Sequence, residues 1–346
     1  MDKINEIVSI IIPIYNGEAY IDTCLGSLVN QSYSYLEILL INDGSNDLTE
    51  IKCKEWVRKD KRIKYFFQEN KGVSEARNLG IINSSGSYIT FVDVDDTCKI
   101  ELISKLVKTM QRDKECDVVF CGYEVCNMEE GIIRSQFGDE LVNESIKEAG
   151  MQLSDKKYDC GVWGKLFRRN VIVNNEHAVL FENKFQIGED YAWLICALKH
   201  CTYISSIQEC LYNYNIRDGS SSHSFALDKR NMSHLKALEH CLNIEWVDDV
   251  GCKEDIEYRL FTQIRIFKLV SLLKNNQYYI KYIDEILAKY KNLKSKWYHN
   301  SRVPVISKVK QYMMDIVFNS PLDNYVALYI YNWGRKKKLI VQYNSR

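Results

Sequence analysis

Apolar and polar positions change period in a repeating order along the first 125 residues. Residues 8–14 form a continuous apolar run of strand length, and residues 17–30 then place Ile21, Leu25 and Leu28 at helical spacing. The alternation recurs, with strands predicted over 36–41, 63–67, 88–92 and 118–123. The intervening helices end near Arg58 or run over 73–82 and 100–111. Apolar strands separated by amphipathic helices predict an α/β fold, with a mostly parallel sheet flanked by helices on both faces. From 127 to 157 the periodicity weakens, and Gly131, Gly138 and Gly150 predict loops and a linking helix. A helix over 191–198 and a strand pair over 202–205 and 210–216 follow. Helical periodicity then occupies 227–247, 254–273, 278–291, 305–318 and 324–333. The expected organisation is one α/β domain over 1–222, in halves of about 1–125 and 126–222, and an all-helical region over 223–346.

Ligands of such sheets bind outside the carboxyl ends of the strands. Pro13, Tyr15 and Asn16 follow the first strand, Asp43 the second, Asn70 and Lys71 the third, and Asp93-Val94-Asp95-Asp96 the fourth, all on one edge. Clustered carboxylates repel and raise one another's pKa unless a cation neutralises them, so the last group is a candidate site for a hard divalent ion that reaches a phosphate. The plainer reading makes Asp95 or Asp96 the cap of a helix beginning near Lys99, and the other loop residues ordinary turn formers. Glu189 and Asp190 stand in the first turn of a helix, where the dipole alone favours acids.

Composition narrows the partners. Acidic and basic residues balance at 46 each, so overall charge points to no nucleic acid and any electrostatic site is local. The 12 cysteines are scattered through apolar runs without a CxxC pair, which reads as reduced, buried thiols in a cytoplasmic protein. The apolar run at 8–12 is too short for a signal sequence or a membrane span.

With these residues in view, the chain resembles the family 2 glycosyltransferases of bacterial cell-surface polysaccharide synthesis, inverting enzymes with the glycosyltransferase-A fold. The stretches VSIIIPIYNGEAYIDTCLGSLVNQSY, LEILLINDGSNDLT, QENKGVSEARNLGI, GSYITFVDVDD, VWGKLFRR and IGEDYAW carry the resemblance in the family's order. It implies a UDP-sugar donor, with Tyr15 against the uracil, Asp43 accepting from the imide N–H, and Pro13 and Asn16 lining the same loop. It implies Arg77 on the nucleotide, Asp93 and Asp96 on the donor side, and Asp95 on Mn²⁺ or Mg²⁺ bridging the diphosphate. Asp190 is the implied base that deprotonates a hydroxyl of a glycan or lipid-linked glycan acceptor, with Glu189 as the neighbouring alternative. Trp163 would contribute to the acceptor wall or belong to the core, and His223 falls where some relatives contact the metal or diphosphate. Asn42 departs from the family, which commonly has a second Asp there.

Two other readings compete. Asp93-Val94-Asp95-Asp96-Thr97 fits the DxDxT pattern of haloacid-dehalogenase-type phosphatases, with Asp93 as nucleophile, although that motif normally follows the first strand. A non-catalytic sugar-nucleotide-binding module would need no base at Asp190. The basic end of the helical tail, Arg335 to Lys338, makes the C-terminal helices a candidate for peripheral contact with the inner face of the cell membrane.

Overall fold

A computed structural model describes residues 6–113, 115–127, 131–137, 141–146, 161–216, 229–244, 247, 252–273, 276–290, 292 and 295–296. The chain divides into two compact units, residues 1–218 and 219–346.

The first unit opens as the apolar periodicity predicts. Strand β1 (Val8–Ile14) leads to α1 (Ile21–Val29), β2 (Leu36–Asp43), α2 (Thr49–Lys59), β3 (Ile63–Gln68), α3 (Val73–Asn83) and β4 (Tyr88–Phe91). These four strands lie parallel in the order β3-β2-β1-β4. Every residue of β1 and β2 is buried, because helices cover both faces. Ile10, Ile12 and Ile14 share a core with Leu25 and Leu28 of α1, whereas Ile11 faces α3. There Gly80 lies so close that an added Cβ would fall 2.3 Å from Ile11 Cγ2. Pro13 sits inside β1, a position that removes a ladder donor. The backbone of Ile11 points at β4, so that of Pro13, two residues on, points the same way. The β1–β4 pairing ends at Ile11 and Phe91, so no donor is missed.

The second half extends the same sheet. A short β5 (Thr97–Cys98), α4 (Leu102–Arg112), β6 (Cys116–Asn127), β7 (Gly131–Gln136), β8 (Glu144–Ser145), β9 (Lys165–Arg168), the one-turn α5 (Arg169–Ile172), α6 (Glu189–Leu198) and β10 (Tyr203–Ile216) complete the unit. The sheet continues past β4 through β9, β6 and β10 to β5. The long β6–β10 pairing is parallel, and β9 runs antiparallel between β4 and β6. The expected strand pair over 202–205 and 210–216 is one continuous strand instead. Its register shifts between Ile207 and Cys210, so the polar Gln208-Glu209 falls in a bulge, which broke the apolar pattern without ending the strand. The hairpin strand β7 was not anticipated, because Ile132 and Ile133 are both exposed and give no two-residue alternation. Of the span 127–157, expected to hold loops and a linking helix, the described part carries β7 and β8, and the rest lies outside the described residues.

At the sheet edge away from the acidic loops, Glu37 is buried and accepts hydrogen bonds from Ser9 Oγ, Lys64 Nζ, and the backbone N–H and Oγ of Ser85. Burial pushes its carboxyl pKa up, but these donors outweigh it and hold the value at about 2, below the ordinary 4.5. A depressed folded-state pKa stabilises the fold above pH 4.5, and that contribution is lost as pH falls toward 2. Glu37→Gln is therefore expected to cost about 2 kcal/mol at pH 7. The gap from wild type should close on acidification, as read by urea denaturation across a pH series.

In the second unit α7 (Lys229–Leu242), α8 (Lys253–Leu273) and α9 (Gln277–Lys289) pack in sequence. Asn276 caps α9 by accepting from the Tyr279 N–H, and Lys289–Glu239 and Lys268–Asp284 pairs join its helices. The helices expected over 305–318 and 324–333 and the basic run at 335–338 lie outside the described residues. Among the described residues, no helix is long and apolar enough to cross a membrane.

Candidate functional site

The loops that leave β1 and β2 are built into each other. Asn16 takes a positive φ of 50°; its N–H donates to Ser45 Oγ, and its side-chain oxygen accepts from the Asn46 N–H. Gly17 N–H donates to Thr49 Oγ1, Glu18 N–H donates to Asp47 Oδ2, and Glu18 Oε2 accepts from the Leu48 N–H. Asn42 donates to Tyr65 Oη while accepting from the Ser45 N–H, a double role that an ionised Asp could not fill. Tyr15, at the tip between these loops, remains 50% exposed and presents an aromatic ring at the carboxyl edge of the sheet.

Asp43 points into the protein. Its Oδ1 accepts from Gln68 Nε2 at 2.7 Å and from the Lys71 N–H at 2.8 Å, and its Oδ2 accepts from the Gly72 N–H at 2.8 Å. The carboxylate thus fixes the loop between β3 and α3. Gly44 lets that loop approach, since a Cβ there would sit 2.6 Å from the Asn70 backbone nitrogen. Three of about four lone-pair sites on Asp43 are used internally, and one on Oδ2 is left.

The acidic loop follows β4. Asp93 and Asp95 are half-buried, and Asp96 is fully buried. Asp96 is not a helix cap: Thr97-Cys98 forms β5, and the next helix begins at Leu102 without a side-chain cap. Its Oδ2 accepts from Tyr212 Oη at 2.7 Å and its Oδ1 from the Asn215 N–H at 2.8 Å. Burial, followed by the charges of Asp93 and Asp95, drives the Asp96 pKa well above the usual carboxylate range. Three carboxylates within four residues crowd this loop, an arrangement that a cation with oxygen ligands at Asp95 would relieve. Among the described residues no group of three His, Cys, Asp or Glu side chains is arranged to hold a metal ion by itself.

Arg77 departs most from expectation. Its guanidinium, 3% exposed, does not lie open to a phosphate but binds three carboxylates: Asp93 at 3.0 Å, Asp190 at 2.5 Å and Glu189 at 3.4 Å. Burial alone would depress the Arg77 pKa, but the three acids push it further up, so it stays charged. Burial raises the pKa of Glu189, and Arg77 opposes that rise. Asp190 is the more open of the adjacent acids, its side chain 24% exposed against 14% for Glu189. Both occupy the first turn of α6, launched by Gly188 with φ 88°.

The support beneath this triad was not legible in the sequence. Phe181 stacks on Trp193 of α6 at 4.7 Å, and the Arg77 guanidinium lies 5.3 Å over Phe181. The Asn78 side-chain amide donates to the Phe181 carbonyl and accepts from the Phe181 N–H, so neighbouring residues of α3 hold both the cation and its platform. Tyr212 and Asn215, which bind Asp96, were also missed. The alternation Tyr212-Asn213-Tyr214-Asn215 was the available signal, polar amides at strand spacing where a buried strand would carry apolar residues. Trp163 lies in the core, 7% exposed, stacked on Tyr212 at 4.8 Å and edge-on to Tyr123, so it offers no open face for an acceptor sugar. His223 lies outside the described residues.

Comparison with known proteins agrees with this arrangement. Residues 9–173 match the family described as Glycosyl transferase family 2. An uncharacterized glycosyltransferase of Haemophilus influenzae is 33% identical over 195 residues, covering 56% of this chain and 72% of that protein. Glycosyltransferase GlyA of Streptococcus pneumoniae is 34% identical over 236 residues, 63% of this chain. This chain spans only 32% of GlyA's length. The S. aureus TarS 1-349 crystal structure with UDP-GlcNAc superposes with a TM-score of 0.64 at 17% identity, over 88% of this chain and 91% of that one. At that identity the superposition speaks for the fold.

Proposed function

Because this chain belongs to glycosyl transferase family 2 and is a glycosyltransferase, we propose that it moves a sugar from a UDP-sugar to a hydroxyl of a glycan acceptor with inversion. The observation that carries the reading is the set of carboxylates gathered by Arg77, with Asp93 from the acidic loop and Asp190 from α6 on one guanidinium. Family membership sets aside the phosphatase reading, and the pairing of Asp93 with Arg77 argues against a free nucleophile there.

The exposed ring of Tyr15 suits a stacked uracil, and the remaining lone pair of Asp43 suits its imide N–H. That TarS, of the same fold, was crystallised with UDP-GlcNAc supports a UDP-linked donor. Asp190 would take the acceptor proton as the hydroxyl oxygen bonds to the anomeric carbon and the bond from that carbon to UDP breaks. An inverting transfer needs this base on the side opposite the departing diphosphate. Arg77 holds the base in reach of Asp93, so proton removal and donor binding share one rigid frame.

Asp95 would hold Mn²⁺ or Mg²⁺, which would relieve the crowding of its carboxylate with those of Asp93 and Asp96. With no protein cluster of three ligands among the described residues, the diphosphate would supply much of the coordination. When bound, the ion would neutralise charge on the leaving diphosphate.

The test is UDP release from a panel of UDP-hexoses and UDP-N-acetylhexosamines with a glycan acceptor. One donor should be consumed in the presence of Mn²⁺, with activity abolished by EDTA. Asp95→Asn is expected to raise the half-saturating Mn²⁺ concentration at least tenfold. Failure of every nucleotide sugar to yield free nucleotide would reject the proposal.

A further inference from the structure

The acidic loop is not self-supporting: besides the Arg77–Asp93 pair, a run of hydrogen bonds reaches it from β10, more than a hundred residues later. The Asp93 N–H donates to Tyr212 Oη at 3.2 Å, and the same hydroxyl donates to Asp96 Oδ2 at 2.7 Å. Asn215 uses its backbone N–H on Asp96 Oδ1 at 2.8 Å and its side-chain amide on the Asp95 carbonyl at 2.9 Å. Asn213 Nδ2 donates to Thr97 Oγ1 at 3.1 Å, and β5 pairs with β10 through Cys98–Tyr212 and Thr97–Asn213. Asp93, Asp95, Asp96 and Thr97 are thus each tied to one strand. The strand is itself held, because Tyr212 is fully buried against the Trp163 ring.

We propose that Tyr212 and Asn215 are positioning residues for sugar transfer, setting the aim of the Asp93 and Asp95 carboxylates from β10. This rests on the reading of Asp93 as a donor contact and Asp95 as the metal ligand. Tyr212 carries the larger share. Its hydroxyl both receives and gives a hydrogen bond, so its loss leaves a half-buried N–H unpaired and removes one of the two bonds that β10 makes to Asp96. Asp96 sits beside two like charges and is the residue through which the loop would relax. Asn215 acts more narrowly. Any non-proline replacement keeps its backbone bond to Asp96 and removes only the tether to Asp95.

Two variants test this in the full chain. Tyr212→Phe keeps the ring against Trp163 and removes the hydroxyl, and Asn215→Ala removes one surface-proximal amide. Amide hydrogen exchange gives a readout that needs neither metal nor substrate. Peptides over residues 93–99 should exchange about tenfold faster in Tyr212→Phe, while those over 8–14 and 36–43 stay at wild-type rates. In transfer assays, donor KM and half-saturating Mn²⁺ should each rise about tenfold in Tyr212→Phe and about threefold in Asn215→Ala, with acceptor KM within twofold of wild type. A purely structural role would instead lower the thermal midpoint and scale down kcat with both donor constants unchanged. That pattern, or unchanged exchange over 93–99, overturns the proposal. Absence of transfer by the wild-type protein with every donor overturns the functional reading beneath it. The exchange experiment still decides whether β10 holds the loop.

Discussion

Asp190→Asn is expected to lower the rate of sugar transfer about a thousandfold, the usual scale for losing a general base. UDP binding in the same variant should stay within twofold of wild type. The two readouts separate because Asn keeps the shape of Asp while losing its charge and basicity. Its carbonyl can still accept from Arg77, and Asp93 and Glu189 remain as counter-ions of the guanidinium, so the cluster and α6 keep their places. Glu189→Gln is the control. Glu189 is the more enclosed of the pair and lies farther from Arg77, so its loss should cost activity much less. A variant Asp190→Asn that transfers at the wild-type rate would remove the base assignment, and near-complete loss in Glu189→Gln would move it one residue. If wild type binds UDP but neither acid matters to any turnover, the chain is a binding module.

Replacement of Arg77 should damage fold and activity together. Arg77→Met leaves Asp93, Glu189 and Asp190 facing one another without a cation, and breaking a buried pair by removing one partner costs about 4 kcal/mol. The cost should depend on pH. Without the guanidinium the folded-state carboxylate pKa values rise above their unfolded values. The repulsion is then relieved at low pH and returns as pH increases through the carboxylate range. The destabilisation relative to wild type is therefore expected to be smallest near pH ~4 and to grow toward neutrality. Urea titrations at several pH values measure it. Arg77→Lys is the sharper test of geometry. An ammonium keeps the charge but not the planar fork that spans carboxylates from two elements. It should fold and yet lose roughly a hundredfold in kcat/KM, as misplacement by about 1 Å can do. Full activity in Arg77→Lys would show that only charge is needed.

The half from β1 to β4 is legible almost element by element, because its signal is local. A parallel strand covered on both faces is near-continuously apolar, as in Val8–Ile14 and residues 36–41, and the helices between carry their own period. Where the second half uses a bulge in β10, the exposed edge strand β7 and the four-residue β9 inside VWGKLFRR, the period is too short or broken, so the pattern splits β10 and gives no sign of the other two. The same division runs through the site. A parallel sheet sends every strand exit to one edge, so Tyr15, Asp43 and the Asp93–Asp96 run could be gathered from sequence alone. What each residue does with its hydrogen bonds could not.

Taken by itself, the sequence determined the alternating α/β order, the edge where the loops converge and the concentration of carboxylates on it, since all three follow from patterns within a few residues. Tertiary packing decided the rest. It turned Arg77 inward onto acids 112 and 113 residues away, withdrew Trp163 into the core beside Tyr212, and made Asp96 an anchor for β10 instead of a cap. The physical reason is that a buried charge or ring takes whatever partner the fold brings within about 3 to 5 Å, and for partners distant in the chain no local periodicity records which one that is.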